Sequence, residues 1–298
     1  MSVIKIGTRG SKLALAQTNK VVSLLSELGF KTEVKIIKTK GDAVTDRGLH
    51  QIGSYGVFVR ELDNAILFGE IDMAVHSMKD IPTYRPDGII TAAILKRDPP
   101  YDYMVTNKPM TELSVIGTSS LRRKAQLMRY YRDTKGIEIK SLRGNIDTRL
   151  AKLKAGEFEA ILLAEAGLVR MNYRENGFRL SANDFVPAPN QGTVAVVCCD
   201  SPEIYEAAGL LNDGLSAYDT MMERAVMEEI GGGCFIPQGI YCLRGQLTAE
   251  ILSLDGSKTE RVSAEVNSIE EAREIGQNLK DEAWDLIAEA KAVCGDLK

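Results

Sequence analysis

Cys234 follows three consecutive glycines in the run EEIGGGCFIPQG, residues 228 to 239, with Pro237 three places beyond it. Glycine lets a backbone come close to another group, so this thiol is placed to touch or carry something. Thiolates form covalent bonds readily. The run holds no histidine and no second cysteine to drive a hydrolytic cycle, which favours stable attachment over a turnover nucleophile. Asp80 is the second candidate. It closes the apolar run IDMAVHSMKD among basic neighbours and precedes Ile81-Pro82, which restricts the chain there. A turn or cap aspartate has the same look. In a cationic setting, however, its carboxylate stays ionised and can stabilise positive charge arising on a substrate, as well as move a proton. His76, in the same run, reads as a satisfied core histidine.

Four polar stretches fall where strands are predicted to end: Thr8-Arg9-Gly10-Ser11, Ser77-Met78-Lys79-Asp80, Thr118 to Arg123, and Arg143-Gly144-Asn145. Ligands of open parallel sheets gather outside those strand ends, so the four stretches are expected to converge on one cleft. Hydroxyls and backbone N–H groups at helix starts bind anions, and arginine adds two-pronged recognition of carboxylate or phosphate. The charge distribution points the same way. Thr118 to Lys154 carries six arginines and five lysines against three acids, and nine of the eighteen arginines fall between Arg122 and Arg179. The net charge of the whole chain is −4. An acidic protein that concentrates cations in one region is expected to hold a polyanion there. The plain alternative is that LRRKAQLMRYYR is a helix whose charges face water. A nucleic-acid surface is disfavoured, since no such motif and no interleaved aromatic platform is present.

The elements that must position these residues follow from periodicity. VIKIGT, a polar loop and a helix with Leu13, Ala16, Val21, Leu24 and Leu28 form a strand-loop-helix unit. Further strands are predicted at KTEVKII, IDMAVHS, GIEIKSL and EAILLAEAGL, with helices between them, which implies mostly parallel sheets. VIGTSSLRRKAQLMRYY echoes the Ile-Gly-Thr, loop, helix order of the N-terminus, so two similar α/β lobes are expected, the second beginning near Asp98-Pro99-Pro100. After FVPAPNQGTVAVVCC come a helical run SAYDTMMERAVMEEI, the cysteine loop, strands such as GQLTAEILSL, and one acidic helix from Ile269 to about Val293, together a small α+β domain.

A chain of 298 residues is long enough for two or three domains with real cores. Its 44% hydrophobic and 26% charged residues sit near the soluble average. The opening lacks an export signal and no run is long enough to span a bilayer, so neither secretion nor membrane insertion is expected. Cys198, Cys199, Cys234, Cys242 and Cys294 are odd in number and scattered, which fits reduced thiols in the cytoplasm rather than a disulfide framework. With two histidines, His50 and His76, and no CxxC pair, no metal site is expected. All the cysteines but Cys234 read as buried filler.

Taken together, GTRGSKLALAQ, DMAVHSMKDIP, GTSSLRRKAQL, SLRGNIDTRLAKL, EAILLAEAGLVR and MERAVMEEIGGGCFIPQG closely resemble the hydroxymethylbilane synthase family, also called the porphobilinogen deaminases. The resemblance covers nearly the whole chain in order. It implies two lobes like those of periplasmic binding proteins, an active cleft between them, and a small C-terminal α+β domain. The implied division is 1–97 with 191–211, 98–190, and 212–298. It implies a transferase of tetrapyrrole biosynthesis that joins four porphobilinogen molecules head to tail with loss of ammonia, then releases the linear hydroxymethylbilane by hydrolysis. The primer would be a dipyrromethane cofactor joined by a thioether to Cys234. Asp80 would be the catalytic aspartate. Arg9, Ser11, Gln17, Ser77, Lys79, Thr118, Ser120, Arg122, Arg123, Arg143, Arg149 and Arg170 would hold the acetate and propionate groups of cofactor and substrate. The planar arginine fork suits that task because it fixes a carboxylate's direction as well as its charge. A cytoplasmic monomer acting without nucleic acid or membrane is implied.

The chain departs from the family pattern in places. Gly53-Ser54-Tyr55-Gly56 stands where Gly-Gly-Lys-Gly is usual, Pro187 to Gly192 replaces a glycine-richer return, and Gly231 replaces a common glutamate. The competing reading is a non-enzymatic, two-lobed polyanion-binding protein, which would have no need of the Cys234 loop.

Overall fold

Ile-Gly-Thr at residues 6–8 and again at 116–118 marks one structural step made twice. The computed structural model describes residues 3–38, 59–82, 85–134, 136–231 and 233–295, with Cys234 described through its backbone. At both steps a strand ends on a glycine and a threonine, and a serine then caps a helix. A Cβ on Gly7 would lie 2.2 Å from Ile71 Cδ1, and one on Gly117 would lie 2.7 Å from Phe158 Cδ1. Glycine there admits the apolar layer against the strand. Ser11 Oγ accepts from the Ala14 N–H at 3.3 Å and Ser120 Oγ from the Arg123 N–H at 3.4 Å, each satisfying a donor that the helix start leaves open.

The described residues up to Asp98, with Gly192–Tyr218, form one compact unit, and Pro99–Gln191 with Asp219–Lys298 form another. In the first, strands β1 (Ile4–Thr8), β2 (Thr32–Ile36), β3 (Met73–Ser77), β4 (Ile89–Ile94) and β10 (Val194–Cys199) lie in the order β2-β1-β3-β10-β4. Helices α1 (Lys12–Glu27), α2 (Arg60–Leu67) and α6 (Pro202–Gly209) belong to the same unit. In the second, β5 (Asp102–Thr106), β6 (Val115–Gly117), β7 (Glu138–Lys140), β8 (Ala160–Ala164) and β9 (Gly177–Arg179) lie in the order β7-β6-β8-β5-β9. Its helices are α3 (Leu121–Tyr130), α4 (Ile146–Lys154) and α5 (Glu165–Arg170). The helix α7 (Gly214–Ile230) leads to a 3-10 turn at Gly233–Phe235 and the antiparallel sheet of β11 (Gln238–Leu243), β12 (Gln246–Leu252) and β13 (Thr259–Glu265). Helices α8 (Ile269–Glu282) and α9 (Trp284–Gly295) complete the chain. The fold is therefore two α/β lobes and a small C-terminal α+β part.

The inner strands of each lobe sheet are buried on both faces, which is why they read as apolar runs rather than alternations, whereas the edge strands β2, β7 and β9 are partly exposed. Met73, Val75, Val194 and Val196 join one cluster, while Ala74, Ala195 and Val197 join the opposite one. Met104, Ala160 and Leu162 likewise oppose Val105, Ile161 and Leu163 in the second lobe. A fully buried leucine or isoleucine contributes roughly 1.5–3 kcal/mol, so these two double layers hold the strand ends in place.

Three sequence expectations change. The sheets are mixed, since β10 runs antiparallel to β3 and β4, and β5 antiparallel to β8 and β9. In the first lobe the chain returns from the other unit before adding the central strand β10, a long-range event that local periodicity does not carry. EAILLAEAGL is not one strand but β8 followed by α5, because a short apolar run buried on all sides has no period to tell the two apart. The acidic C-terminal helix is two helices, parted at the buried Ala283. Among the described residues no helix is long and apolar enough to cross a membrane.

Candidate active site

In the first lobe β1 and β3 run parallel, with Ile6 opposite Met73 and Gly7 opposite Ala74, so their carboxyl ends leave the same sheet edge. Arg9 and Ser11 follow one strand, and Ser77, Lys79 and Asp80 end or follow the other. Asp80 closes a 3-10 turn, Met78–Asp80, which Ile81 N–H seals by donating to Met78 O at 3.1 Å. Its carboxylate is exposed and meets no hydrogen-bond or ion-pair partner among the described residues. A fixed backbone thus presents an unspent negative charge. Lys79 beside it is exposed, and Arg9 is half-buried.

Behind this edge lie groups that water does not reach. His76 is 5% exposed, its Nε2 has no hydrogen-bond partner among the described residues, and its pKa is pushed down to about 3 by burial, then by the charges of Arg85 and Arg9. It is a neutral core histidine, as expected, but not a satisfied one. Gln17, in the second turn of α1, is buried and its Nε2 also meets no partner among the described residues. Arg85 reaches Asp63 of α2 through Nη2, while its Nε and Nη1 meet no acceptor among the described residues. Burial raises the Asp63 pKa, and the single guanidinium opposes the rise without cancelling it.

In the second lobe β6 runs parallel to β7 and β8, so the same kind of edge gathers Thr118 to Arg123, Arg143 and the start of α5. Thr118 is buried and its Oγ1 accepts from the Ser120 N–H at 3.2 Å. Arg122 and Arg123 do not face water as an ordinary charged helix face would. They turn inward onto Asp102 of β5, which is 0% exposed. Arg122 Nη1 donates to Asp102 Oδ2 at 2.7 Å, to Gln126 Oε1 at 2.9 Å and to Val186 O at 2.8 Å. Arg123 donates to Asp102 Oδ1 through Nε at 3.1 Å and Nη2 at 2.7 Å, and to Leu162 O through Nη1 at 3.0 Å. Gln191 Nε2 adds a further donor to Asp102 at 2.9 Å. Burial alone would raise the Asp102 pKa, but the two guanidiniums outweigh it and hold the carboxyl well below the usual range. A guanidinium has five N–H groups. Each arginine therefore has N–H groups beyond those that Asp102 and the carbonyls engage, while Asp102 fixes its plane and cancels one of the two charges.

The remaining cations are less committed. Arg143 is half-buried and has no hydrogen-bond or ion-pair partner among the described residues. Arg149 Nε donates to Gly144 O at 2.8 Å, and its pKa falls to about 10 through burial and then the nearby Arg123 charge. Two like charges brought together in a partly dry place fit an anion between or beside them. Arg170 ends α5, half-buried. Asn145 caps α4, its Oδ1 accepting from the Thr148 N–H at 2.9 Å.

The cysteine turn belongs to the second unit. Gln238 Nε2 donates to Gly233 O at 3.2 Å, and Gly231, at φ +71°, ends α7 just before the turn. Cys242 is buried and its thiol donates to Asp219 at 3.4 Å; burial and then the Asp219 and Glu223 charges push its pKa up, which makes it an inert thiol. Cys198 and Cys294 are buried and Cys199 is half-buried. His50 and the stretch Gly53-Ser54-Tyr55-Gly56 lie outside the described residues. Sequence reading missed Asp102 altogether. The signal that pointed to it was an aspartate opening the apolar strand DYMVT just ahead of the most basic part of the chain.

Known proteins resolve the class to which this arrangement belongs. Residues 4–206 match the family described as "Porphobilinogen deaminase, dipyromethane cofactor binding domain", and residues 217–285 match "Porphobilinogen deaminase, C-terminal domain". The chain belongs to the porphobilinogen deaminase family. A "Probable porphobilinogen deaminase" of Methanosarcina acetivorans is 50% identical, the match covering 95% of this chain and 93% of that protein. Proteins of the same description from Archaeoglobus fulgidus and Methanocaldococcus jannaschii are each 42% identical, covering 94% and 93% of this chain and 98% of their own lengths. The first family match takes in both polar sheet edges, and the second takes in the cysteine turn and the three-stranded sheet. Among solved structures, a periplasmic substrate-binding protein from Coxiella burnetii is 12% identical at a TM-score of 0.39, covering 72% of this chain and 94% of that one. No activity transfers at that distance.

Proposed function

We propose that this protein is a hydroxymethylbilane synthase: it condenses porphobilinogen units stepwise onto a dipyrromethane cofactor and releases a linear tetrapyrrole. The observation that carries this reading is the family match along almost the full chain, together with a carboxylate at Asp80 and a guanidinium at Arg143 that meet no hydrogen-bond or ion-pair partner among the described residues. The residues suit the cofactor, because a polyacidic group needs donors that the protein has not already consumed, and Arg143 and Arg149 retain them. Arg9, Ser11, Gln17, Ser77, Lys79, Thr118, Ser120, Arg122, Arg123, Arg143, Arg149 and Arg170 would hold the acetate and propionate groups. Cys234 would bear the cofactor through a thioether. When bound, the cofactor supplies the free pyrrole α-carbon to which each new unit is joined.

The chemistry left to the chain is electrostatic and protic. Among the described residues Asp80 makes no ion pair, so its negative charge is available to a substrate whose pyrrole nitrogen becomes positive as ammonia departs. The same carboxylate can hold the proton lost from the joined ring and return it. The arginines orient rather than react. The division into 1–97 with 191–211, 98–190 and 212–298, and action as a cytoplasmic monomer, belong to the same proposal. Cys198, Cys199 and Cys294, which form no disulfide among the described residues, support a reducing compartment.

Porphobilinogen added to the purified protein should release ammonia and yield a linear bilane. Intact mass should exceed the chain mass by one dipyrromethane, an excess that Cys234→Ser removes and replacement of Cys199 or Cys242 does not. Active protein of unmodified mass would overturn the attachment. Tight binding of porphobilinogen without ammonia release would favour the non-enzymatic alternative.

A further inference from the structure

Glu250 lies in the middle of β12, 0% exposed, in the strand QLTAEIL. A carboxylate in such a strand is costly unless donors surround it. They come from α3 and β13. Gln126 Nε2 donates to Glu250 Oε1 at 2.8 Å, Arg129 Nη1 to Oε2 at 2.9 Å, and Arg129 Nη2 to Oε1 at 3.3 Å; Arg261 Nη1 stands 3.5 Å from Oε2. The helix and the sheet are also close-packed here. Gly256, at φ +69°, would place a Cβ 2.2 Å from Ala125 O, so the turn after β12 rests directly on the backbone of α3.

Gln126 is the connecting group. Its amide is itself 0% exposed and has two unlike ends. The Nε2 end meets only acceptors, Glu250 Oε1 and Val186 O at 2.9 Å. The Oε1 end must then face Arg122 Nη1, from which it accepts at 2.9 Å. Were the amide reversed, an NH2 group would confront the guanidinium and an oxygen would confront the carboxylate. Glu250, which can only accept, fixes the direction of the amide, and the amide fixes one edge of Arg122, which also donates to Val186 O and is linked through Asp102 to Arg123.

We propose that Glu250 is a positioning residue for ligand binding: through Gln126 it holds one edge of the Arg122 guanidinium that Asp102 holds from another, so the grip of the second lobe on acidic ligands depends in part on a carboxylate of the C-terminal sheet. This rests on the reading of Arg122 as a holder of porphobilinogen-derived acid groups. Arg261 supplies a control, because it meets Glu250 from the side away from Gln126 and also donates to Asn183 O at 2.5 Å.

Five holoproteins test it: the parent, Glu250→Gln, Gln126→Leu, the double variant of these two, and Arg261→Gln. Each would be labelled with an arginine-directed dicarbonyl reagent, mapped at the peptide bearing Arg122, and assayed for KM and kcat with porphobilinogen. Glu250→Gln and Gln126→Leu should each raise KM roughly fivefold to tenfold, the factor carried by about one net hydrogen bond, with kcat held within about twofold. Arg122 should label several-fold faster in both. Their double variant should be no worse than Gln126→Leu alone, because the two act in series. Arg261→Gln should lower the melting temperature and leave KM and labelling at parent values. The proposal falls if Glu250→Gln leaves KM and labelling unchanged, or if Arg261→Gln matches it, which would mark the cluster as a mere brace. A parent protein inert toward porphobilinogen would remove the functional reading, while the labelling would still decide the role of Glu250.

Discussion

In the first lobe one buried carboxylate, Asp63, faces one guanidinium, and burial wins, so its pKa rises. In the second lobe Asp102 faces two guanidiniums and a glutamine amide, and burial loses, so its pKa falls far below the carboxylate range. The two sheets correspond strand for strand in space, although the inserted antiparallel strand comes last in the first lobe (β10) and first in the second (β5). Each lobe also has its serine-capped helix, yet the charges are used in opposite ways. The second lobe locks its cations into a buried array of net positive charge and offers the donors left over. The first keeps Asp80 free and exposed at a short turn. Rigid orientation suits carboxylate recognition, whereas an unscreened charge suits stabilising a cation that appears only during reaction.

The comparison can be broken most directly at its two aspartates. Asp102→Asn leaves two buried guanidiniums uncompensated and should cost ~3–5 kcal/mol in denaturant unfolding at neutral pH. Asp63→Asn should cost clearly less, because ionised Asp63 is not favoured by its site; the reverse order would undo the contrast. Next in size is Asp80→Asn. Its turnover should fall about a hundredfold or more in an ammonia-release assay, while its unfolding midpoint shifts by less than the ~0.5 kcal/mol typical of an exposed site.

Arg143→Gln should raise KM about tenfold, near 1.4 kcal/mol, without loss of stability, since no described protein group relies on it. An unfolding free energy that fell with it would show Arg143 to be bracing the lobe instead. The smallest effect concerns His76. Its folded pKa of about 3 lies below the ordinary 6.5, so between those values the unfolded chain binds the extra proton and stability falls as pH drops. From pH 6.5 to 5 this is worth up to ~2 kcal/mol, and His76→Gln should flatten that part of the profile. An unaltered slope would mean that other groups govern it.

Much of the site was legible because its residues sit at ends of elements. Arg9, Ser11, Asp80, Thr118, Ser120 and Arg143 follow strands whose apolar runs are plain in the sequence, and the glycine run before Cys234 needs no neighbour to be noticed. The inward turn of Arg122 and Arg123 was not legible. LRRKAQLMRYYR has the composition of a solvated helix face, and only the position of Asp102, 20 residues earlier in the chain, gives the first two arginines a buried partner. Glu250 is 124 residues from Gln126, and a lone acid in QLTAEIL gives no sign of which donors will meet it.

The amino-acid order by itself determined the repeated strand, glycine, capped-helix step, the class of the fold and the residue types presented at its polar edges. These follow from neighbours within a few positions, through backbone sterics and side-chain caps. Tertiary structure alone decided which charges are spent and which are left over. A buried charge finds its energy in partners brought from distant parts of the chain, and no local pattern encodes that meeting.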